Sequence, residues 1–487
     1  MVLPNKPENY IPIFGWPPHE NSGNIGSVKI LLIQTPSREP SQESLVVPPL
    51  GLAYLAAVAR QAGHEVAILD AFAEGLTWDA FETRVRSAQA DLIGITGMTP
   101  VADSVQRAIR LCRPHARWLV LGGPHATAQP EDVMKDNPEL DFAVIGEGEI
   151  TFRDLLAALK QGSSPDGLAG LITRQGKGPA RPLMEKLDDL PLPARDLLPN
   201  DRYRYPLSAG RRITTMISSR GCPYGCIFCD KNVFGSRWRA RAADSVLAEI
   251  DTVVKDYGVR TLIFYDDLFT LKPDRLRAIC EGLISRRYDL TWKAEGRVDL
   301  ADAELLRLMR RAGCDTLAYG VESANPKGLD YLGKRTTPEQ IRQAFQATRA
   351  AGIKTLGYFI LGIPVETYED ALRTIRFAME IKTDYAQFSI LSPMPGTRLY
   401  QEAVERGWYR EIAAQNVSDK DRLRPVVISE NWDEARLIAI VHQAHRMFYL
   451  RPGYIGHSLL RIRSWEEAGN LVRLGWNMLK YVFRRAH

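Results

Sequence analysis

Two runs of alternating strand-like and helix-like segments, separated by a loop with three cysteines, leave this chain few ways to fold. In the first run Val28-Lys-Ile-Leu-Leu-Ile-Gln34 is an apolar strand, and Pro48–Arg60 is a helix with proline at its start. Glu65–Asp70 (strand), Thr77–Ala88 (helix), Asp91–Thr96 (strand) and Ala102–Cys112 (helix) follow, then strands at Trp118–Leu121 and Phe142–Ile145. In the second run strands are expected at Thr214–Ser218, Thr261–Tyr265, Thr291–Ala294, Thr316–Gly320, Thr355–Leu361 and Ala386–Leu391. Helices are expected between them at Ser245–Tyr257, Asp274–Arg286, Asp302–Arg311, Pro338–Ala351 and Tyr368–Ile381. Such alternation predicts parallel sheets covered by helices, with ligands held outside the carboxyl ends of the strands. Six strands fall short of the eight that close a full barrel.

The loop between the runs is Arg220-Gly-Cys-Pro-Tyr-Gly-Cys-Ile-Phe-Cys229. Gly221, Pro223 and Gly225 break regular structure, so Cys222, Cys226 and Cys229 lie on a turning segment that can wrap one small object. Thiolates select zinc, copper(I) or an iron–sulfur cluster. A closed zinc site wants a fourth ligand, and no Cys or His follows at finger spacing. Three thiolates on a four-iron cluster would leave one iron open to an outside ligand.

Cys-x-x-x-Cys-x-x-Cys with Phe228 before the last cysteine resembles the signature of radical S-adenosylmethionine enzymes. The resemblance implies a [4Fe-4S] cluster on Cys222, Cys226 and Cys229. S-adenosylmethionine (SAM) would sit on the open iron and be cleaved to a 5′-deoxyadenosyl radical, inside a partial six-stranded (β/α)6 barrel. It also implies SAM contacts from the strand ends: Asp267, beside Asp266, then Glu295, Arg297, Glu322 and Gly362. Gly357–Glu366 would run along the adenine. Acceptors for an amino group and hydroxyls, with a cation for a carboxylate, are what a zwitterionic, ribose-bearing ligand needs. Each lone carboxylate could equally cap a helix or charge a loop.

The first run is similar to the cobalamin-binding domain that precedes many such barrels, a Rossmann-like doubly wound parallel sheet. Its strand ends carry Gly97-Met-Thr-Pro100, Gly122-Gly-Pro-His-Ala-Thr127 and Gly146-Glu-Gly-Glu149. Small residues after three successive strands suggest close backbone approach to something bulky. Taken singly, each glycine is as well explained by a tight turn. By the resemblance, Met98, Thr99, Gly122, Gly123, Gly146, Glu147 and Gly148 contact the corrinoid. His125 is a candidate for the corrin or its tail, and equally a packed histidine. One departure matters: Thr35–Leu50 contains no histidine, so a cobalt ligand from that loop is not expected.

These readings divide the chain into an irregular arm (1–26), a cobalamin-binding-like domain (27–162) and a Gly/Pro/Asp-rich linker (163–210). A barrel (211–415) and a small helical C-terminal extension (416–487) follow. A formal charge of +5 over 487 residues gives no argument for nucleic acid. Dispersed Cys112, Cys280 and Cys314 form no disulfide framework and suit a reducing cytosol. No apolar run spans a bilayer, so a cytoplasmic location is expected, with membrane-surface contact left open. Near the end, Glu466, Asn470, Arg473, Asn477, Lys480 and Arg484 recur every three or four residues amid Trp465, Leu471, Trp476, Leu479 and Phe483. That pattern fits an interfacial helix touching a membrane. It fits no worse a helix packed on the protein with one wet edge.

The expected function is cobalamin-dependent radical methylation of an unactivated carbon in a hydrophobic or amphipathic metabolite. A small-molecule or lipid-like substrate and an external electron donor of flavodoxin or ferredoxin type are the expected partners. The resemblance is nearest to the subfamily of the anaerobic magnesium-protoporphyrin ester cyclase and hopanoid-modifying enzymes. An oxidative cyclase or rearrangement enzyme of the same build, a barrel whose first domain only docks a partner protein, and a non-catalytic cobalamin or redox sensor are the alternatives. If the loop holds a cluster, alanine at Cys222, Cys226 or Cys229 should abolish iron loading, measured as iron and acid-labile sulfide per chain after anaerobic reconstitution.

Overall fold

The computed structural model describes residues 27–36, 45–413 and 423–460. The arm at 1–26 and the terminal helix expected around 464–487 lie outside the described residues. Two α/β bodies make up the described chain. The first sheet contains β1 (Lys29–Gln34), β2 (Glu65–Asp70), β3 (Leu92–Thr96), β4 (Trp118–Gly122), β5 (Phe142–Val144), β6 (Leu171–Thr173) and β7 (Gly176–Lys177). Their order is β2-β1-β3-β4-β5-β6-β7, with the first five parallel. Alternate residues of β1 enter different cores: Ile30 and Leu32 pack with helix Leu50–Gln61 on one face, Leu31 and Ile33 with Trp78–Ala88 on the other. Burial of both faces explains why β1 is a continuous apolar run rather than an alternating one.

The second sheet begins with β8 (Ile213–Met216). The cysteine loop follows, bracketed by a short antiparallel pair, β9 (Ser219–Arg220) and β10 (Arg239–Ala240). Next come β11 (Thr261–Phe264), β12 (Thr291–Gly296), β13 (Cys314–Glu322), β14 (Lys354–Leu361) and β15 (Tyr385–Ile390). Among the described residues these form a six-stranded, all-parallel sheet in the order β15-β14-β13-β12-β11-β8. Phe264, Trp292, Leu317, Tyr319, Phe359 and Leu361 point outward into the helical layer. Residues of the opposite parity, among them Lys293, Glu295, Ala318, Gly320 and Tyr358, line the inner face.

Residues 163–210 differ from a linker. β6 and β7 fall there and extend the first sheet by antiparallel pairing, so that sheet runs past residue 162. The Pro-rich remainder has little regular structure but is pinned by side chains. Arg195, 3% exposed, donates to Thr214 Oγ1 (2.7 Å), the Thr215 carbonyl (2.8 Å) and Glu249 (2.6 Å), and Glu249 also pairs with Arg241. Asp188 accepts from the Ala242 amide at the start of helix Ala243–Lys255. Composition cannot show this, because a proline-rich strap without ladder bonds still folds when it carries one buried cation to a waiting carboxylate.

The C-terminal region is likewise not a separate extension. Strands β16 (Tyr409–Ala413) and β17 (Leu423–Val427) pair across the expected boundary at 415/416. Helix Glu434–Tyr449 lays Leu437, Ile440, Val441, Ala444 and Phe448 into the barrel's outer core. No helix among the described residues is long and apolar enough to cross a membrane.

Removing one member of a buried ion pair leaves the other charge unpaired. Arg195→Ala should therefore lower the unfolding free energy by roughly 3–5 kcal/mol in denaturant titrations. Arg60→Ala, which loses an open pair with Asp196, should cost under about 1 kcal/mol.

Candidate functional site

The cysteine loop is held by backbone before its thiols do anything. Gly221 has φ +83°, and a Cβ there would run into the Arg237 carbonyl, so the turn into the loop requires glycine. The Gly221 amide donates to Asp267 Oδ2 at 2.8 Å. The Cys222 amide reaches the Gly235 carbonyl, Ile227 that of Leu332, and Leu399 that of Ile227. Tyr224 lies beneath the Arg297 guanidinium, 3.5 Å from ring centroid to Cζ. Lys231 donates to the Tyr224 carbonyl.

Cys222, Cys226 and Cys229 are free thiols at the accessible surface of this loop, while Cys112, Cys280 and Cys314 are buried in cores. Although Cys229 is open to solvent on one side, desolvation by the protein packed around it and then the charge of Cys226 push its thiol up to about 12. Burial thus favours the neutral thiol at Cys229, and three thiolates on this one loop would need a cation among them. No three His, Cys, Asp or Glu side chains among the described residues are placed as for a single metal ion. Three cysteines without a fourth His or Cys ligand are a donor set that fits an iron–sulfur cluster.

Around the loop stand the strand ends. Asp266 is fully buried, accepting from the Ser218 amide (2.7 Å) and the hydroxyls of Ser218 (2.6 Å) and Ser219 (2.5 Å). Burial raises its carboxyl. It fixes the chain leaving β8, and Asp267 fixes the next turn. Arg297 donates to Asp299 (2.9 Å) and to the Lys334 carbonyl (3.0 Å). Lys334 in turn gives its ammonium to Glu322 Oε1 at 2.7 Å. Glu322 sits at a bulge of β13 with φ +63°, a conformation that costs a non-glycine residue of order 1–3 kcal/mol and tends to mark functional sites. Asp267, Arg297 and Glu322 thus gather at the loop, each already engaged in holding it or its neighbours.

Gly362 is different. Its φ is +84°, and a Cβ would strike Leu437 of the C-terminal helix, so its local demand is packing. The carboxylate four residues on is the more telling one. Glu366 is wholly buried, accepts from Ser323 Oγ (2.5 Å) and Asn325 Nδ2 (3.2 Å), and has no partner on Oε2. It ties the end of β14 to the end of β13, and burial pushes its carboxyl up to about 7.

Glu295 leads inward instead. It accepts from Lys293 Nζ (2.5 Å) and the Tyr358 hydroxyl (3.1 Å), and Lys293 Nζ lies 3.4 Å from that hydroxyl. Burial and then the Glu295 charge raise the phenols of Tyr205, Tyr265 and Tyr358. Ala318 and Gly320 present no large side chain on this inner face. Sequence reading missed Lys293 and Tyr358, whose signal was present: polar residues at inward parity in strands whose outward parity is aromatic and aliphatic.

In the first body Met98 is 52% exposed at the end of β3, an apolar side chain left open where a flat ligand could cover it. His125 Nδ1 is 3.3 Å from Thr99 Oγ1. Gly123, φ +94°, is needed because a Cβ would press on Thr96 Oγ1 and the Gly97 backbone. Gly122 has only ordinary neighbours, Gly146 (φ +75°) has open space above it, and Gly148 opens helix Gly148–Gln161. Glu147 does not stand free among these. Its carboxylate accepts from Arg220 (3.0 Å), Arg239 (2.8 Å) and the Met184 amide (2.8 Å), while Glu149 accepts from Arg220 at 2.5 Å. Glu147, expected at the corrin, bonds the two bodies together through its carboxylate, and the turn that carries it meets the strand entering the cysteine loop there.

Comparison with known proteins decides the family. The B12 binding domain model matches residues 44–156, and the Radical SAM superfamily model matches 216–378. An uncharacterized methyltransferase of Pyrococcus horikoshii is 35% identical over 434 residues, covering 87% of this chain and 93% of that protein. The chain belongs to the B12-binding radical SAM enzymes. The family's [4Fe-4S] cluster, SAM and cobalamin follow with that membership. The anaerobic magnesium-protoporphyrin IX monomethyl ester cyclase of Rubrivivax gelatinosus is 29% identical over 84% of this chain and 75% of its own length. The hopanoid C-3 methylase of Methylococcus capsulatus is 27% identical over 72% and 62%. The solved structure of the radical S-adenosylmethionine methyltransferase TsrM from Kitasatospora setae superposes with a TM-score of 0.72. It covers 93% of this chain and 99% of that one at 18% identity, so it speaks to the fold.

The buried carboxyl of Glu366 has a pH signature in this enzyme. Its folded value near 7 lies above its ordinary 4.5. The unfolded chain therefore gives up the proton first, and the stability this group contributes is fully present below about pH 4.5 and is lost as pH rises through 7. The loss attributable to this group is roughly 3 kcal/mol. Glu366→Gln should flatten that part of the profile in denaturant titrations at pH 5, 6, 7 and 8.

Proposed function

We propose that this enzyme methylates an unactivated carbon of an amphipathic metabolite, with the reaction space between the carboxyl ends of its two sheets. The observation that carries the reading is the junction itself: the Gly146–Glu149 turn of the B12-binding body touches the strand that enters the cysteine loop. In this reading Cys222, Cys226 and Cys229 hold the cluster, and Met98, Thr99, Gly122, Gly123, His125, Gly146 and Gly148 border the corrinoid. Asp267, Arg297 and Glu322 form the SAM wall, with Gly362 at its adenine end. When bound, these groups supply reductive cleavage of the sulfonium and a transferable methyl group, and electrons come from a flavodoxin- or ferredoxin-type donor.

The chain's own task is to hold and to exclude. Arg297 over Tyr224 and Asp267 beneath Gly221 keep the loop from relaxing, and the tyrosines of the lumen shield a reactive carbon from water. Lys293, Glu295 and Tyr358 put an ammonium, a carboxylate and a phenol on the inner face. A purely hydrocarbon substrate there would leave them desolvated without gain, so one end of the substrate is polar.

The test is anaerobic reconstitution with iron, sulfide and hydroxocobalamin, followed by SAM and a strong reductant. Formation of 5′-deoxyadenosine together with corrinoid-dependent S-adenosylhomocysteine is expected. Deoxyadenosine without S-adenosylhomocysteine would replace methyl transfer with a cyclase-type reaction, and absence of both would leave a sensor. Lys293→Met should keep cluster and corrinoid spectra while lowering turnover of a bound substrate at least tenfold.

A further inference from the structure

Four charged side chains meet where the two bodies join, and methyl transfer as such gives them no role. Glu147 and Glu149 come from the turn after β5, Arg220 and Arg239 from the short strands that bracket the cysteine loop. All are nearly sealed from water, with side-chain exposures of 3–8%. Arg220 splits its fork, one nitrogen to Glu147 at 3.0 Å and the other to Glu149 at 2.5 Å. Phe234 and Tyr54 close over its guanidinium, with ring centroids 5.0 and 5.7 Å away. Arg239 bonds both oxygens of Glu147 and also the carbonyls of Met184 and Phe234.

Position makes this more than a fastening. Arg220 is two residues before Cys222, and Arg239 pairs with it across the antiparallel bracket, so both cations sit at the root of the cluster loop. Glu147 lies between Gly146, at a strand end with open space above its backbone, and Gly148, which opens the following helix. A group settling on that turn cannot move it without moving the two carboxylates, nor the carboxylates without the arginines. Charges in so dry a place act on one another strongly and are little screened by salt. Cluster potentials respond to local charge and to hydrogen bonding.

We propose that Glu147 and Glu149 are positioning residues that, through Arg220 and Arg239, set the geometry and electrostatic environment of the cysteine loop and make both depend on the state of the B12-binding turn. The corrinoid part of this rests on the function proposed above; the electrostatic part does not. In the resting junction two carboxylates balance two guanidinium groups. Removing either sign must then shift the loop's potential in opposite directions.

The experiment uses the full chain with its cluster reconstituted and no corrinoid, and reads the cluster's midpoint potential and reduced-state EPR signal. Glu149→Gln, whose amide oxygen still accepts from Arg220, should shift the potential positive. Arg220→Gln should shift it negative, and Arg220→Lys should return it close to the parent. Glu185→Gln makes the same charge change in an exposed pair with Arg237 and should leave it in place. Melting of the apo-proteins checks that each variant is folded. Shifts of the same sign for Glu149→Gln and Arg220→Gln, or shifts no larger than that of Glu185→Gln, would overturn the proposal. Hydroxocobalamin is then added: it should perturb the parent's EPR signal, and that response should shrink in Glu147→Gln. An undiminished response overturns the coupling. If hydroxocobalamin fails to bind the parent at all, the corrinoid assignment fails, while the ordering of potentials still decides the electrostatic claim.

Discussion

Buried opposite charge is what the arrangement of this enzyme depends on. Two parallel sheets can each bury their own apolar faces, and β1 and β12 show that each does. An apolar core shared across the join, with Ile213 and Ile263 of the second sheet in one cluster with Leu52 and Ala53 of the first body, is non-directional and does not by itself orient one sheet's strand ends toward the other's. The pairing of Glu147 and Glu149 with Arg220 and Arg239 does, because a charge taken out of water must find its partner at hydrogen-bond distance or not be buried at all. Arg195, reaching from the proline-rich strap to Glu249, repeats the device at the other end of β8. Apolar packing makes the two bodies and continues across their join, and a few ion pairs give that join its direction.

The same economy appears around the cysteines. Carboxylates near the loop are already engaged: Asp266 holds the exit of β8, Asp267 the Gly221 amide, and Glu366 the side chains of Ser323 and Asn325 that join β13 to β14. Glu322 is held at positive φ by the Lys334 ammonium. A loop with so few ladder bonds of its own stays in one shape only if its surroundings determine it. The residues that do so are those that a ligand could later share, and for that reason they sit at strand ends rather than in strand interiors.

Much of this was legible in the chain. The six strands of the barrel, their parallel order and the cysteine loop followed from period-two apolar segments separated by amphipathic helices. Asp267, Arg297 and Glu322, expected as SAM contacts from the family resemblance, lie around the cysteine loop. Three things were not legible. The strap at 163–210 looks loose because proline and glycine remove regular hydrogen bonds, yet two short strands, Asp188 and the buried Arg195 guanidinium anchor it. The packing of Leu437, on the helix from Glu434, against Gly362 is equally silent in the sequence. The ion pairing of Glu147 with arginines of a loop more than seventy residues away has no signal in the chain.

The sequence by itself determined what is local: which segments become strands and helices, which face of each is apolar, and which thiols lie together on a broken loop. These depend on dihedral preferences, on side-chain period and on spacings of a few residues. The tertiary structure alone decided which charges are satisfied by which partners. Whether a carboxylate binds a ligand, caps a turn or locks two bodies together depends on what lies within about 3 Å of it, and that neighbour comes from a part of the chain whose distance in sequence carries no signal.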